Sequence, residues 1–263
     1  MTTTFSEQET VGPLIEEARA RGFDKTIGVD GYSHDRTTEV ATGFGAEVVF
    51  QHGEGKAGAL LTPFQRATTR YIVIMDGDGS YDSFDIQKLL PLVGAYDFVK
   101  GVMEKNENVS ATHKLGNRVI TRTFNLLFGT SIGDVCSGMH MLRAEKVKSP
   151  NLEKHPLTVE QEIAAEMVLS PGPITTILIN YRKRASGTFK TNTWRQGFRG
   201  LLTNFDLART YNPVLLFSFL AALAIVPSIG FLIYALVLNY AFGDYHSSYF
   251  LGVAILLVLG TQG

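Results

Sequence analysis

Tyr71-Ile72-Val73-Ile74-Met75 runs directly into Asp76-Gly77-Asp78-Gly79-Ser80. Five apolar and β-branched residues stopped by a glycine-rich turn read as a buried strand, of the kind that fills a parallel sheet. Two carboxylates one residue apart then lie where the strand ends. Open α/β sheets bind ligands outside the carboxyl ends of their strands. Oxygen ligands so placed suit a hard divalent cation that keeps several waters and bridges phosphates. Asp and Gly are also frequent in plain turns, so this motif alone leaves a turn and a metal site equally open.

Working outward, residues 26–29, 47–50, 97–100 and 174–181 read as further strands, and 37–44, 57–67, 84–92 and 115–128 as helices. The alternation is that of an α/β domain with a mainly parallel sheet. The strand at 26–29 also ends on an acid, in Asp30-Gly31-Tyr32-Ser33-His34-Asp35-Arg36-Thr37. A rival motif lies between: Gly53-Glu54-Gly55-Lys56-Ala57-Gly58 is G-x-G-x-x-G, with Asp76 at a spacing near that of a dinucleotide-binding acid. That reading makes the chain an oxidoreductase, but the glycines follow the second readable strand and Asp78 is left without a purpose. A phosphate-loop reading is weaker still, because Ala57, not Ser or Thr, follows Lys56.

The chain has 263 residues, with 24 Lys plus Arg against 25 Asp plus Glu. All of the basic residues and all of the acidic ones except Asp244 fall within 1–209. A balanced domain of this kind is not a nucleic-acid binder, which needs a basic excess. The lone Cys136 excludes an internal disulfide and suits a reducing compartment. Residues 213–238 are uncharged and exceed the roughly 20 apolar residues that cross a bilayer core; Pro227 and Gly230 are tolerated in such helices. A second apolar run, 249–259, is too short to span alone, so a second span is expected to be incomplete. Lys183, Arg184, Lys190, Arg195, Arg199 and Arg209 precede the first span and only Asp244 and His246 closely follow it. The positive-inside rule therefore places 1–209 on the cytoplasmic side. Met1-Thr2-Thr3-Thr4-Phe5 has neither the basic start nor the apolar segment of a signal peptide. Between these parts, Trp194, Phe198, Leu201, Leu202 and Phe205 recur at helical spacing with arginines interleaved. The pattern fits either an interfacial helix or one packed on its own domain. The expected organisation is a catalytic domain over 1–192, an amphipathic helix over 193–211 and a transmembrane region over 212–263.

Six motifs in register carry a resemblance. They are Phe5-Ser6-Glu7-Gln8-Glu9, the Asp30 to Thr37 segment, Gly55-Lys56, Asp76-Gly77-Asp78-Gly79-Ser80-Tyr81, Gly133-Asp134-Val135-Cys136-Ser137-Gly138 and Arg184-Ala185-Ser186-Gly187. The chain resembles the family 2 glycosyltransferases, and within them the polyprenyl-phosphate sugar transferases related to dolichyl-phosphate mannose synthase. Its V-D-G-x-S and M-D-G-D-G-S-Y variants look most like archaeal enzymes that charge dolichyl phosphate with a hexose for protein N-glycosylation.

The resemblance implies a GT-A-like α/β fold with helices on both faces of the sheet and a C-terminal transmembrane helix or hairpin. It implies an inverting transfer of a hexose or N-acetylhexosamine from a nucleotide-diphosphate sugar, UDP favoured, to dolichyl or polyprenyl phosphate. Glu7 and Asp30 would hold the nucleoside, with Lys56, Asp76 and Ser80 also on the donor. Asp76 and Asp78 would hold Mg²⁺ or Mn²⁺. Arg118, Arg122, Ser137, Arg184 and Lys190 would face the donor and acceptor phosphates, and Asp78 and Arg184 would carry catalysis. An anionic acceptor needs cations to offset repulsion and to stabilise the leaving diphosphate. It needs no strong base, since a phosphate monoester is already ionised near neutrality. Glu160 and Glu162 occupy the place where relatives acting on hydroxyl acceptors often carry a base, and read instead as exposed carboxylates at a helix start. Only Met1 to Phe5 precede Ser6, so the first strand of the family is expected to be clipped or supplied differently. Two other functions fit the same motifs: transfer directly to a glycolipid or polysaccharide hydroxyl, and non-catalytic binding of a sugar nucleotide at the membrane. No motif encodes the sugar, the choice of UDP or GDP, or the oligomeric state.

Overall fold

A computed structural model describes residues 1–53, 55–103, 110–147, 158–182, 193–242 and 247–262. Seven strands form one sheet in the order β3-β2-β1-β4-β6-β5-β7: β1 Thr2–Thr4, β2 Ile27–Asp30, β3 Glu47–Phe50, β4 Tyr71–Asp76, β5 Phe98–Met103, β6 His140–Arg143 and β7 Ile174–Ile179. The β1–β2, β1–β4, β2–β3 and β5–β7 pairs are parallel, while β6 runs antiparallel to both β4 and β5. The sheet is thus mixed and mainly parallel. The first strand is indeed short, three threonines long, yet it sits mid-sheet. Thr2 and Thr4 are buried there, and β-branched side chains suit a pleated, buried position even when they carry a hydroxyl.

The helices are α1 Val11–Arg19, α2 Thr37–Gly43, α3 Gly55–Arg66, α4 Ile86–Leu89, α5 Ala111–Phe128, α6 Val159–Leu169, α7 Thr193–Tyr211, α8 Pro213–Phe242 and α9 Ser247–Gln262. The single helix expected over 84–92 is instead α4 between two 3-10 turns, Ser83–Asp85 and Leu90–Leu92. Pro91 has no N–H to continue an α-helix, and Asp82 caps the first turn by accepting from Phe84 N–H at 2.9 Å. Helix α5 begins earlier than expected because Ser110 caps it, and it ends where Gly129 takes φ 62°. Val11, Ile15, Ala41 and Ala46 join α1 to α2, whereas Leu14, Met75, Leu89, Val99, Met139, Met141 and Ile179 form a second core around β4, β5 and β6.

The chain divides into two compact units, Met1–Asn204 and Phe205–Gly263. In the first, Asn204 Nδ2 donates to Ile120 O at 2.8 Å, and Gly200 lies so close to α5 that a Cβ there would meet Ile120 Cδ1 at 2.8 Å. In the second, α8 contains one stretch, Pro213–Ala241, long and apolar enough to cross a membrane, with a mean hydropathy of 2.4. Helix α9 packs against it, Ser228 Oγ donating to Val253 O at 3.1 Å and Phe231 meeting Tyr249 edge to face.

Candidate active site

The carboxyl ends of β1, β2 and β4 lie side by side and bring the acids of the sequence motifs together. Thr4 is in register with Asp30 and Thr3 with Asp76, so the two acids flank β1 from neighbouring strands. Asp30 is buried, and both of its oxygens are engaged by Ser33: the N–H donates to Oδ2 at 2.8 Å and the hydroxyl to Oδ1 at 2.5 Å. Glu7 is buried nearby, its N–H donating to Thr37 Oγ1 at 2.9 Å. The two non-glycine residues with positive φ among those described are Ser6 (56°) and Tyr32 (63°), one in each of these loops. Held strain of that kind concentrates where a binding loop must keep an unusual shape. Tyr32 also stacks on Phe50 at 5.5 Å, and both rings are exposed.

The turn after β4 holds the paired carboxylates. Asp78 Oδ1 accepts from Ser80 N–H at 3.0 Å and from its hydroxyl at 2.5 Å. Ser80 is buried, so its hydroxyl braces the turn. Asp76 is met by Lys56 Nζ, 2.9 Å from Oδ1 and 3.1 Å from Oδ2, and the same ammonium pairs with Glu160 at the start of α6. Burial opposes the charge of Lys56, but the carboxylates of Asp76 and Glu160 more than offset it and hold its pKa well above that of an ordinary lysine. Gly138 is packed onto Asp76 so tightly that a Cβ there would lie 2.3 Å from Oδ2. Among the described residues no three His, Cys, Asp or Glu side chains gather to hold a metal. The donor set is therefore two hard oxygens on one turn, which fits a Mg²⁺- or Mn²⁺-type cation whose shell the ligand's phosphates and water complete. Asp76, which also meets Lys56, and Asp78 are the candidate ligands.

Behind this turn, between the sheet and α6, polar groups are buried that the sequence did not disclose. Lys100 on β5 is opposite His140 on β6, and both are fully buried. Among the described residues, neither Lys100 Nζ nor either ring nitrogen of His140 has a hydrogen-bond partner. Burial lowers the Lys100 pKa to about 8, against a smaller rise from Glu160 and Asp134. Burial, then the charges of Lys100 and Lys56, push His140 well below its usual value, so it is neutral. Glu160 and Glu162 are not exposed carboxylates as expected: they are 7% and 0% exposed. Every residue from Val159 to Ala165 is buried, so the first turns of α6 have no solvent face to offer them.

The remaining candidates are dispersed. Arg118 and Arg122 lie on the exposed face of α5. Ser137 is buried, its hydroxyl accepting from Met139 N–H at 3.4 Å. Arg184 and Lys190 lie outside the described residues. Sequence reasoning passed over Tyr81, Gly138, Lys100 and the Lys56–Glu160 pair; only Tyr81 and Gly138 carried a signal, as the last residues of quoted motifs.

Residues 1–149 match Glycosyl transferase family 2. The chain belongs to this family. Glycosyltransferase AglJ of Haloferax volcanii is 30% identical to the transferase over 240 residues, covering 89% of this chain and 79% of that protein. The dolichyl-phosphate hexose transferase of the same organism is 27% identical over 194 residues, covering 70% and 82%. Glucosyl-3-phosphoglycerate synthase from Mycobacterium tuberculosis, solved in complex with Mn²⁺, UDP-glucose and phosphoglyceric acid, superposes with a TM-score of 0.61 at 17% identity over 77% of each chain. The same synthase with Mg²⁺ and UDP gives 0.62 at 18% identity, again over 77% of each. The fold of the transferase is therefore GT-A, and it is an enzyme, not an oxidoreductase domain. Its G-x-G-x-x-G serves packing: a Cβ on Gly58 would lie 2.6 Å from His52 O, and the loop delivers Lys56 to Asp76.

Proposed function

We propose that the transferase moves a hexose or N-acetylhexosamine from a nucleotide-diphosphate sugar, UDP-sugar favoured, to dolichyl or another polyprenyl phosphate, as a membrane-anchored enzyme facing the cytoplasm. Glu7 and Asp30 bind the nucleoside. Asp76 and Asp78 would hold a divalent cation, whose chemistry there would be to offset negative charge on the diphosphate. An acceptor phosphate oxygen attacks the anomeric carbon as the bond from that carbon to the diphosphate oxygen breaks, inverting the centre and releasing the nucleoside diphosphate. Arg184 and Lys190, with Arg118 and Arg122 on α5, supply the cationic surroundings this anion needs. The relative named a dolichyl-phosphate hexose transferase and the apolar α8 support a lipid-phosphate acceptor, and with it a role in protein N-glycosylation.

The observation that carries this over a hydroxyl acceptor is the Lys56 bridge. Glu160 stands where a base would be needed, but it shares an ammonium with Asp76 and is buried with Glu162. A phosphate acceptor, already ionised, asks for no base. The test is turnover: membranes containing the protein are given radiolabelled sugar nucleotides with dolichyl phosphate or with a neutral glycolipid. An acid-labile lipid product from dolichyl phosphate is expected; product from the neutral glycolipid alone would overturn the assignment, and binding of nucleotide without any product would make the protein a sugar-nucleotide binder. Orientation is tested by a cysteine at Ser247 in a Cys136→Ser background, which should resist labelling from the cytoplasmic side.

A further inference from the structure

We propose that Tyr81 is a positioning residue whose hydroxyl locks the Asp76–Asp78 turn to the loop 133–138, fixing the spacing between the two sides of the active site. The proposal rests on the assignment of that turn to the donor diphosphate. Three contacts close a ring. The chain leads from Asp76 to Tyr81 in five residues; Tyr81 Oη accepts from Gly138 N–H at 2.8 Å; and Gly138 returns to Asp76, with no space between them for a Cβ. The ring of Tyr81 is held on its other side by Tyr181, edge to face at 5.4 Å, through an isolated antiparallel bridge between these two residues. Arg182 continues this clamp, its N–H donating to Ser80 O at 2.7 Å and its guanidinium pairing with Asp82 at 2.8 Å. A turn rich in glycine is soft by itself. Here Gly77 and Gly79 flank the key carboxylate, so the stiffness must come from what the turn is tied to. Tyr81 is 4% exposed, and phenylalanine would fill the same space without a polar group to satisfy. What the hydroxyl adds is the bond to Gly138.

Strand β4 supplies the control. Tyr71, at its other end, also accepts a glycine N–H with its hydroxyl, that of Gly94 at 3.1 Å, and takes a second bond from Arg143. Tyr71→Phe therefore removes at least as much hydrogen bonding as Tyr81→Phe, far from the site. Both full-length variants are compared with wild type in lipid nanodiscs, first by hydrogen–deuterium exchange without donor or cation, then by steady-state kinetics. Tyr81→Phe should raise exchange in residues 133–139 roughly tenfold or more, the cost of an unpaired buried N–H. It should lower kcat about tenfold while the donor KM moves less than twofold, since alignment and not donor contact is lost. Tyr71→Phe should raise exchange near Gly94, leave 133–139 unchanged and keep kcat. Unchanged exchange at 133–139 in Tyr81→Phe, faster exchange with wild-type kcat, or an equal loss of kcat in Tyr71→Phe would each overturn the proposal. If wild type itself transfers no sugar, the donor assignment fails, and the exchange comparison still decides whether the lock exists.

Discussion

Gly138→Ala would set a Cβ 2.3 Å from Asp76 Oδ2 and 2.8 Å from its Cγ. Carbon and oxygen rest no closer than about 3.3 Å even in a weak C–H···O contact, so one partner must retreat by roughly 1 Å. Asp76 is poorly placed to do so: Lys56 holds both of its oxygens and Thr3 Oγ1 donates to Oδ1 at 3.5 Å. The loop cannot yield freely either, because Gly138 N–H is bound by Tyr81. A displacement of about 1 Å at reacting geometry costs on the order of 100-fold in rate, about 2.7 kcal/mol of barrier. Overpacking of this kind costs roughly 1–3 kcal/mol of stability. Initial rates at saturating donor and acceptor, with thermal unfolding of the same preparations, measure both. Gly116→Ala is the control: it lies inside α5 with nothing within 4 Å of the added Cβ, and should gain up to about 1 kcal/mol with unchanged turnover. A Gly138→Ala enzyme with kcat within twofold of wild type would refute the reasoning that Asp76 cannot move.

Asp78→Ala should abolish transfer at any Mg²⁺ or Mn²⁺ concentration, while the bonds it loses from Ser80 cost about 1.5–3 kcal/mol of stability and leave the protein folded; full activity in this variant or in excess chelator would end the metal assignment. Lys56→Met leaves Asp76 and Glu160 without their shared cation, and because Lys56 is a third exposed the expected loss in chemical denaturation is about 2–3 kcal/mol, below the 3–5 of a fully buried pair; a variant as stable as wild type would show that the bridge is not formed. Lys100 has a folded-state pKa of about 8, below its unfolded value of about 10.4. Between these limits the unfolded chain holds a proton that the native state has released, so stability rises with pH across that window and the cost of the buried charge is full below it. Lys100→Met should therefore raise Tm at pH 7, by the equivalent of about 1–4 kcal/mol, and abolish the gain that wild type shows from pH 8 to 10; parallel pH profiles for the two proteins would argue against a buried charge.

Much of the acid-bearing row of strand ends was legible because its signals are local. Each acid there follows an apolar run and precedes a glycine or serine turn, and this is enough to place Asp30 and Asp76 at strand ends. The strand at 97–100 was read too short: the structure continues it to Met103, so Lys100 becomes interior to β5 and not its polar terminus. Strand β6 escaped because His140-Met141-Leu142-Arg143 has no β-branched residue and its antiparallel place depends on two distant strands. Glu160 was misread for a related reason. A carboxylate at a helix start is exposed by default, and nothing near residue 160 in the chain reveals that Lys56 will arrive beside it. Helix α6 conceals its burial too, because Glu160, Gln161, Glu162 and Glu166 are spread around its circumference and leave no one-sided apolar stripe to betray a packed face.

The three threonines of β1 bear on how the enzyme acquires its shape. They fill the middle of the sheet, and Thr3 meets Asp76 across 73 positions of sequence. Strands β2 and β4 have no direct pairing, so the row of acids beside β1 exists only once that distant closure has been made. Long-range closure of this sort forfeits chain entropy before its contacts reward it, and it slows folding. During synthesis Thr2–Thr4 can pair with β2 early, but their other edge must wait until β4 has emerged. The row of acids beside β1 therefore matures late in biogenesis, after local helices such as α1 have had time to form.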